Sequence, residues 1–368
     1  MQATTTQFDL ARQPFLWHKK PMFEEWIGQI RSGNELSPDA IIQIVAALLN
    51  EEVAAELKAD FLIALAIREE TPAELASFVR ALRDRSIPLP LPDSFANRQL
   101  LDVCGTGGDR LGTFNISTTV AFVCAAAGAV VVKHGNRAVT SKSGSADVLE
   151  QLGISIDLSP VEVAASLEKH GFAFLFAPRF HPAFRALASA RRLCAERGQR
   201  TLFNFIGPLM NPARPTAQLV GVARPEWVVP MAHVLQALGL HRAMVVSGEI
   251  EGEGTLDELS TLGINTVAEF YQKRGFHSSS WSPANFPLQP ATLKDLAGGD
   301  AAVNAAIILS ILRGQDRGPR RDAVLLNAAA GLYVAGLADS LVEGWDMARE
   351  TLESGKADAK LKQLQDRG

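Results

Sequence analysis

Residues 105–109 read Gly-Thr-Gly-Gly-Asp, and the segments on either side leave few folds open to this chain. Before them stands an apolar run, Leu100-Leu101-Asp102-Val103-Cys104, too brief and too closely bounded by glycine to be a helix. After them, Asn115-Ile116-Ser117-Thr118 supplies helix-starting side chains ahead of Val120, Ala121, Phe122, Val123 and an alanine run. Gly128 stops that segment, and the valine-rich Ala129–Val132 reads as a strand running straight into Lys133. From Ser143 to Gly153, hydroxyl residues precede Ala146-Asp147-Val148-Leu149-Glu150 and a stopping glycine, which predicts another helix. Strand, glycine loop, helix, strand, basic loop, helix is a βαβα unit. It calls for a parallel sheet with ligands at the strand carboxyl ends.

Three polar clusters fall at those ends: the glycine loop, Lys133-His134-Gly135-Asn136-Arg137, and Ser143-Gly144-Ser145-Ala146-Asp147. All combine small residues, hydroxyls and a few cations. Free N–H groups in a first helical turn, reinforced by a dipole of roughly half a charge, favour an anion. Glycines let the backbone approach closely and form a nest of N–H groups. A lone glycine loop could equally be a tight strand-to-helix turn; three such clusters together point to a phosphorylated substrate. The spacing is neither G-x-x-x-x-G-K-[ST] nor G-x-G-x-x-G, so neither a P-loop ATPase nor a Rossmann dehydrogenase is indicated.

Elsewhere, helical periodicity marks 22–31, 38–50, 52–68 and 72–83, and the proline-rich stretch 87–92 cannot continue a helix. Strands are expected at 219–222 and 243–246, with a helix at 226–238 between them. Helices are expected again at 302–312, 321–335 and 340–354. Residues 1–21 lack a clear period and read as a loose extension without a secretion signature. A net charge of −4 gives no basic field for nucleic acid. The apolar stretch 120–132 is too short to span a bilayer. Cys104, Cys124 and Cys194 read as reduced core thiols, which suits the cytoplasm.

With these runs in view, the chain resembles the anthranilate phosphoribosyltransferases. The likeness rests on Asp102–Asp109, Phe114–Thr118, Lys133–Arg137 and Ser141–Glu150. It continues through Arg200-Thr201-Leu202-Phe203-Asn204-Phe205-Ile206-Gly207-Pro208-Leu209-Met210-Asn211-Pro212, then Gln218–Val222, Leu256–Ser260 and Leu325–Ala329. These motifs keep one order over roughly residues 22 to 365.

The resemblance implies the nucleoside phosphorylase and class III phosphoribosyltransferase fold: a large α/β domain with a mixed, mainly parallel sheet plus a smaller all-helical domain. The helical domain would take 22–92 with a return segment at about 181–212. The α/β domain would take 93–180 and 213–368. It also implies transfer of a phosphoribosyl group from phosphoribosyl pyrophosphate to anthranilate with Mg²⁺, by a homodimer. Gly105, Gly107, Gly108, Asp109, Thr113, Asn115, Ile116, Ser117, Thr118, Lys133 and Ser145 would surround the donor. Ser117, Asp257 and Glu258 would hold the metal, and Gly105, His134, Asn136, His181 and an arginine after His181 would meet anthranilate. Two other outcomes exist on such a scaffold. A pyrimidine nucleoside phosphorylase is disfavoured by Gly108-Asp109 and Asp257-Glu258. A non-catalytic nucleic-acid-binding relative is disfavoured by the intact glycine loop and acidic balance.

Residue chemistry agrees. The donor carries about four or five negative charges, which need neutralising. Lys133 and Arg137 can supply part of that, and Lys133 and Asp257 are expected as cleft side chains whose truncation spares the fold. By composition alone, Asp257-Glu258 closes an acidic stretch, Glu249–Glu258, that would ordinarily be an exposed loop. The preceding strand brings it to the sheet edge of the glycine loop. An aromatic amine is unprotonated at neutral pH, so it needs orientation more than a base. An arginine fork suits its carboxylate. The segment between His181-Pro182-Ala183 and Arg200-Thr201 runs a few residues longer than the family pattern. Counting forward places the arginine at Arg191, with Arg192 the alternative; counting back lands on Cys194. His134 and His181 line the pocket, and a histidine beside proline is more often structural than catalytic.

Overall fold

The computed structural model of the chain describes residues 20–138, 142–271 and 275–366. The expected extension, up to residue 19, and Ser141 lie outside the described residues. Helices α1 (Lys20–Arg31), α2 (Pro38–Leu48), α3 (Ala55–Arg68) and α4 (Pro72–Arg83) come first. Their starts follow local rules. Ser37 accepts a bond from the Ala40 amide ahead of Pro38, and Thr71 and Glu74 form a capping box around Pro72. Each cap is worth about 1 kcal/mol.

The alternating part follows: β1 (Leu100–Gly105), α5 (Ile116–Ala126), β2 (Val130–Gly135), α6 (Ser145–Gln151), α7 (Pro160–His170) and β3 (Phe172–Phe176). The chain then leaves the sheet through α8 (Ala177–Phe180), a 3-10 segment and α9 (Ala188–Glu196), and α9 packs on α3. It returns as β4 (Ala217–Gly221), α10 (Val228–Ala237), β5 (Arg242–Ile250), β6 (Gly254–Leu256), β7 (Asn265–Tyr271) and β8 (Gly275–Trp281). Four helices close it: α11 (Ala301–Leu312), α12 (Pro319–Val334), α13 (Leu341–Glu353) and α14 (Lys356–Gln365).

The sheet order is β3-β2-β1-β4-β5-β7-β8, with β6 beside β5. Strands β3, β2, β1, β4 and β5 run parallel, and β6, β7 and β8 join antiparallel, which makes the sheet mixed as expected. An apolar cluster on one face joins Leu101, Val103, Leu219 and Val246 to α5, α11 and α12. On the other face Val220, Val222, Ala243 and Val245 share a cluster with α1–α4, α10 and the 187–210 segment. The strands are therefore buried on both faces, as parallel sheets require.

Strands β1, β2 and β4 all end on glycine: Gly105, Gly135 and Gly221, with Gly105 opposite Gly221. That edge is where the glycine loop, the α5 start and the 255–260 segment meet.

Candidate active site

β1 hands over to the glycine loop at Gly105, and the segment after β6 crosses directly above it. A Cβ at Gly105 would overlap the Asp257 carboxylate, and one at Gly221 would overlap the Asp257 backbone, so only glycine admits this crossing. The Asp257 Oδ2 accepts the Gly107 amide at 2.6 Å, and Thr106 N donates to Gly221 O at 2.9 Å. Gly107 and Gly108 have φ of 72° and 87°, the left-handed conformation that turns successive amides to one side. The Gly108 and Asp109 amides have no acceptor among the described residues.

Glu258 lies one residue further, buried, with Oε1 accepting the Ser117 amide in the first turn of α5 at 3.1 Å. Beneath it, Lys133 Nζ donates to Val103 O at 2.7 Å and to Ser117 Oγ at 3.4 Å. The two carboxyls and the ammonium thus sit within one small volume. Burial, then repulsion from Asp109, raises Asp257 to about 7. Burial, then Asp257, raises Glu258 to about 8, against the pull of Lys133. Burial also pulls the Lys133 ammonium below its ordinary value, with Asp102 opposing.

Several expectations change here. Lys133 is only 2% exposed and lies in β2, so it is a buried counter-charge beneath the loop and not a cleft side chain; its truncation would strain the fold. Arg137 is held by Glu150 and Asp147, at 2.8 Å for the Nη2–Oε1 contact, which takes its charge away from the loop. Ile116 puts its side chain into the core and donates its amide to Phe114 O at 2.7 Å. Thr118 is also buried, and Thr113 pairs with Ala297 in an isolated bridge. Asn115 binds Ser143 O at 3.3 Å and accepts from Asn304 at 2.8 Å, tying the α5 start to the neighbouring loop. Ser145 Oγ reaches Asn136 O at 3.4 Å.

The second half of the site comes from the 181–203 segment facing the end of β2. His134 and His181 meet edge to face at 5.4 Å, His181 stacks on Phe184 at 5.1 Å, and Phe184 meets Phe203 at 5.9 Å. The Arg191 guanidinium stands 5.9 Å over the Phe203 ring with Nη2 at 3.5 Å from Phe203 O. Burial, followed by the neighbouring His181, brings His134 down to about 3; burial brings His181 to about 4. Both rings are neutral at pH 7. Their Nε2 atoms are buried without a partner among the described residues, two polar points in an otherwise apolar wall. Arg192 points instead to Glu196 in solvent, 3.9 Å away. The Asn136 side chain is exposed beside this wall and accepts the Arg137 amide at 2.8 Å.

Asp102 was absent from the expected site. Fully buried, it accepts from Asn211 at 2.9 Å, Gln218 at 3.4 Å and the His134 amide at 3.4 Å, and burial lifts it to about 6. It clamps β1, β2, β4 and the end of the return segment together. A carboxylate inside an otherwise apolar strand was its signal in the sequence. Phe184 and Phe203 had no such signal.

Among the described residues, no three His, Cys, Asp or Glu side chains converge as an all-protein metal site. A half-buried and a buried carboxylate, adjacent and repelling one another and open toward free amides, instead suit Mg²⁺ bound jointly with substrate phosphates.

Comparison with known proteins gives a consistent result. A sequence model described as "Glycosyl transferase family, helical bundle domain" matches residues 24–86, and "Glycosyl transferase family, a/b domain" matches residues 97–358. The chain is 44% identical over 343 residues to an anthranilate phosphoribosyltransferase of Petrotoga mobilis, covering 93% of this chain and 96% of that protein. The crystal structure of the Thermus thermophilus anthranilate phosphoribosyltransferase superposes with a TM-score of 0.83 at 43% identity, over 92% of this chain and 98% of that one. The Saccharomyces cerevisiae enzyme in complex with PRPP and Mg superposes with a TM-score of 0.82 at 26% identity, over 95% and 98%.

Proposed function

The chain belongs to the anthranilate phosphoribosyltransferases of the glycosyl transferase family, and from that premise we propose how its own residues divide the reaction. The enzyme moves the 5-phosphoribosyl group of phosphoribosyl pyrophosphate to the amine of anthranilate. It gives N-(5-phosphoribosyl)anthranilate and pyrophosphate in tryptophan biosynthesis, and its metal is Mg²⁺. The observation that carries the reading is the meeting, at one sheet edge, of a glycine nest, the adjacent carboxylates of half-buried Asp257 and buried Glu258, and a neutral imidazole–arginine wall.

In our reading the Gly108 and Asp109 amides and the start of α5 hold the donor phosphates. Asp257 and Glu258, with Ser117, hold the metal, which when bound neutralises the departing pyrophosphate. Lys133 keeps the carboxylate cluster together from below, a support supported in turn by its bond to Val103 O. At an effective dielectric near 20, one opposite charge pair at about 4 Å is worth roughly 4 kcal/mol before desolvation. Leaving-group stabilisation is therefore the leading catalytic contribution.

Anthranilate would lie along His134, His181 and Asn136, with Arg191 on its carboxylate. Neutral imidazoles suit a nucleophile whose lone pair is already free, and they line and orient without supplying a base. The exposed but locally held position of Arg191, against solvent-facing Arg192, supports this choice.

We further read 22–92 with 181–212 as the helical domain and the remainder as the α/β domain; the packing of α9 on α3 supports it. Pairing as a homodimer through the helical part finds support in Ile42 and Ile67, 53% and 70% exposed on α2 and α3. Three buried free cysteines support a cytoplasmic setting. The test is a fluorescence assay for loss of anthranilate. Consumption should require both phosphoribosyl pyrophosphate and Mg²⁺. Undiminished fluorescence with both present would refute the reading.

A further inference from the structure

The donor side as described is short of positive charge. Its ligand brings about four or five negative charges, and Asp109, Asp257 and Glu258 add carboxyls of their own. Of the two cations expected there, Lys133 is buried beneath the loop and bonded to Val103 O at 2.7 Å, and Arg137 is engaged by Glu150 and Asp147. The metal alone would have to answer the rest.

A further cation stands across the cleft. The return segment carries four arginines between 191 and 200, and three have partners: Arg191 with Phe203 O, Arg192 with Glu196 and Arg197 with Asp60. The Arg200 guanidinium has no hydrogen-bond or ion-pair partner among the described residues, while its carbonyl accepts from Gln199 Nε2 at 3.0 Å. Its guanidinium nonetheless has a definite position. A Cβ built on Gly108 would lie 3.3 Å from Arg200 Nη2 and 3.9 Å from Nη1, so the nitrogen edge overhangs the glycine nest.

The backbone on both sides of Arg200 is fixed. Gly198, at φ 72°, ends α9 with its amide on Ala195 O at 2.9 Å, and the Gln199 amide returns to Cys194 O at 3.0 Å. Thr201 N is held by Asn204 Oδ1 at 2.8 Å. The side chain between these anchors is exposed. An arginine held at its root and free at its tip, facing unpaired amides, is arranged for a multiply charged oxyanion.

We propose that Arg200 is a donor-binding residue, closing over the glycine loop from the return segment to grip the pyrophosphate of phosphoribosyl pyrophosphate. The pyrophosphate end is indicated because Gly107, next to Gly108, is bonded to Asp257, and Mg²⁺ binds together with phosphate oxygens. The same segment thus delivers Arg191 to the acceptor and Arg200 to the donor. The donor can therefore help dock the segment that completes the acceptor pocket. This inference rests on the function proposed above.

The experiment compares wild type, Arg200→Gln, Arg200→Lys and, as control, Arg197→Gln, in steady-state kinetics with Mg²⁺ and in calorimetric titration with pyrophosphate. Arg200→Gln should raise the donor KM and the pyrophosphate Kd about tenfold or more. Its anthranilate KM should change by less than about threefold. Arg200→Lys should recover part of the loss, and Arg197→Gln should match wild type. Thermal melts should agree across the set, since Arg200 supports no partner. An Arg200→Gln enzyme with wild-type donor KM and pyrophosphate Kd overturns the proposal while leaving the function intact. A wild-type protein that consumes no anthranilate overturns the function itself.

Discussion

Asp257 and Glu258 keep their protons up to about 7 and 8, whereas His134 and His181 surrender theirs down to about 3 and 4. Burial causes both, because it disfavours whichever form is charged. On the proposed donor side this leaves carboxyls that need a cation before they can ionise comfortably. On the proposed acceptor side it leaves neutral rings. The donor side is built on strand ends and the start of α5, from main-chain amides and buried charge. The acceptor side is built mostly on the 181–203 segment outside the sheet, from ring faces and one guanidinium at the rim. A departing pyrophosphate gains most from dipoles fixed beforehand. An aromatic amine gains most from being aimed.

The largest effect that would break this contrast belongs to Lys133. Replacing it by Met should lower turnover on the order of a hundredfold. It should also cost about 3 kcal/mol of stability, because fully buried Asp102 loses its counter-charge. Rates and urea denaturation together check this. A well-folded, active variant would show that the donor side does not depend on buried charge.

A medium effect sharpens the acceptor half. Arg191→Ala should raise the anthranilate KM about tenfold or more while the donor KM stays within about twofold. Arg192→Ala should change neither. Equal rises in both constants for Arg191→Ala would remove that residue from the acceptor wall.

The smallest effect is in the pH dependence of stability without metal. Glu258 has its folded value raised, so the stability it contributes is full below the unfolded value of about 4.3 and is lost as pH rises through the folded value. The histidines have theirs depressed, so their contribution is present above about 6.5 and fades as pH falls toward the folded values. Between about pH 6 and 9 the metal-free protein should therefore weaken as pH rises, and Glu258→Gln should flatten that slope. Denaturation curves in EDTA read this directly. An unchanged slope in the variant would mean that Glu258 is not held protonated.

The donor side was legible in the sequence because its parts are contiguous: a strand, a glycine loop and a helix start lie within Leu100–Thr118. Side-chain direction was less so. Lys133 reads as a surface cation until β2 is seen to be buried on both faces, and the partners that occupy Arg137 lie across α6. The acceptor wall depends on contacts among His134, His181, Phe184 and Phe203, which no spacing announces. In the fold, β3 carries an apolar run, Phe-Ala-Phe-Leu-Phe, bounded by Gly171, and its signal was available. β8 was hidden by its composition: Gly-Phe-His-Ser-Ser-Ser-Trp is a mostly exposed, polar edge strand. α14 is polar on most of its surface, buries only Ala357, Leu361 and Leu364, and adds polar ties from Lys360 to His170 O and from Gln365 to Leu152 O.

Where the donor sits decides the proposed division of the site. A crystal structure with phosphoribosyl pyrophosphate and Mg²⁺ should show the pyrophosphate on the Gly108 and Asp109 amides, with the metal between it and the Asp257 and Glu258 carboxylates. A sugar phosphate bound at another edge of the sheet, with that nest vacant, would contradict it.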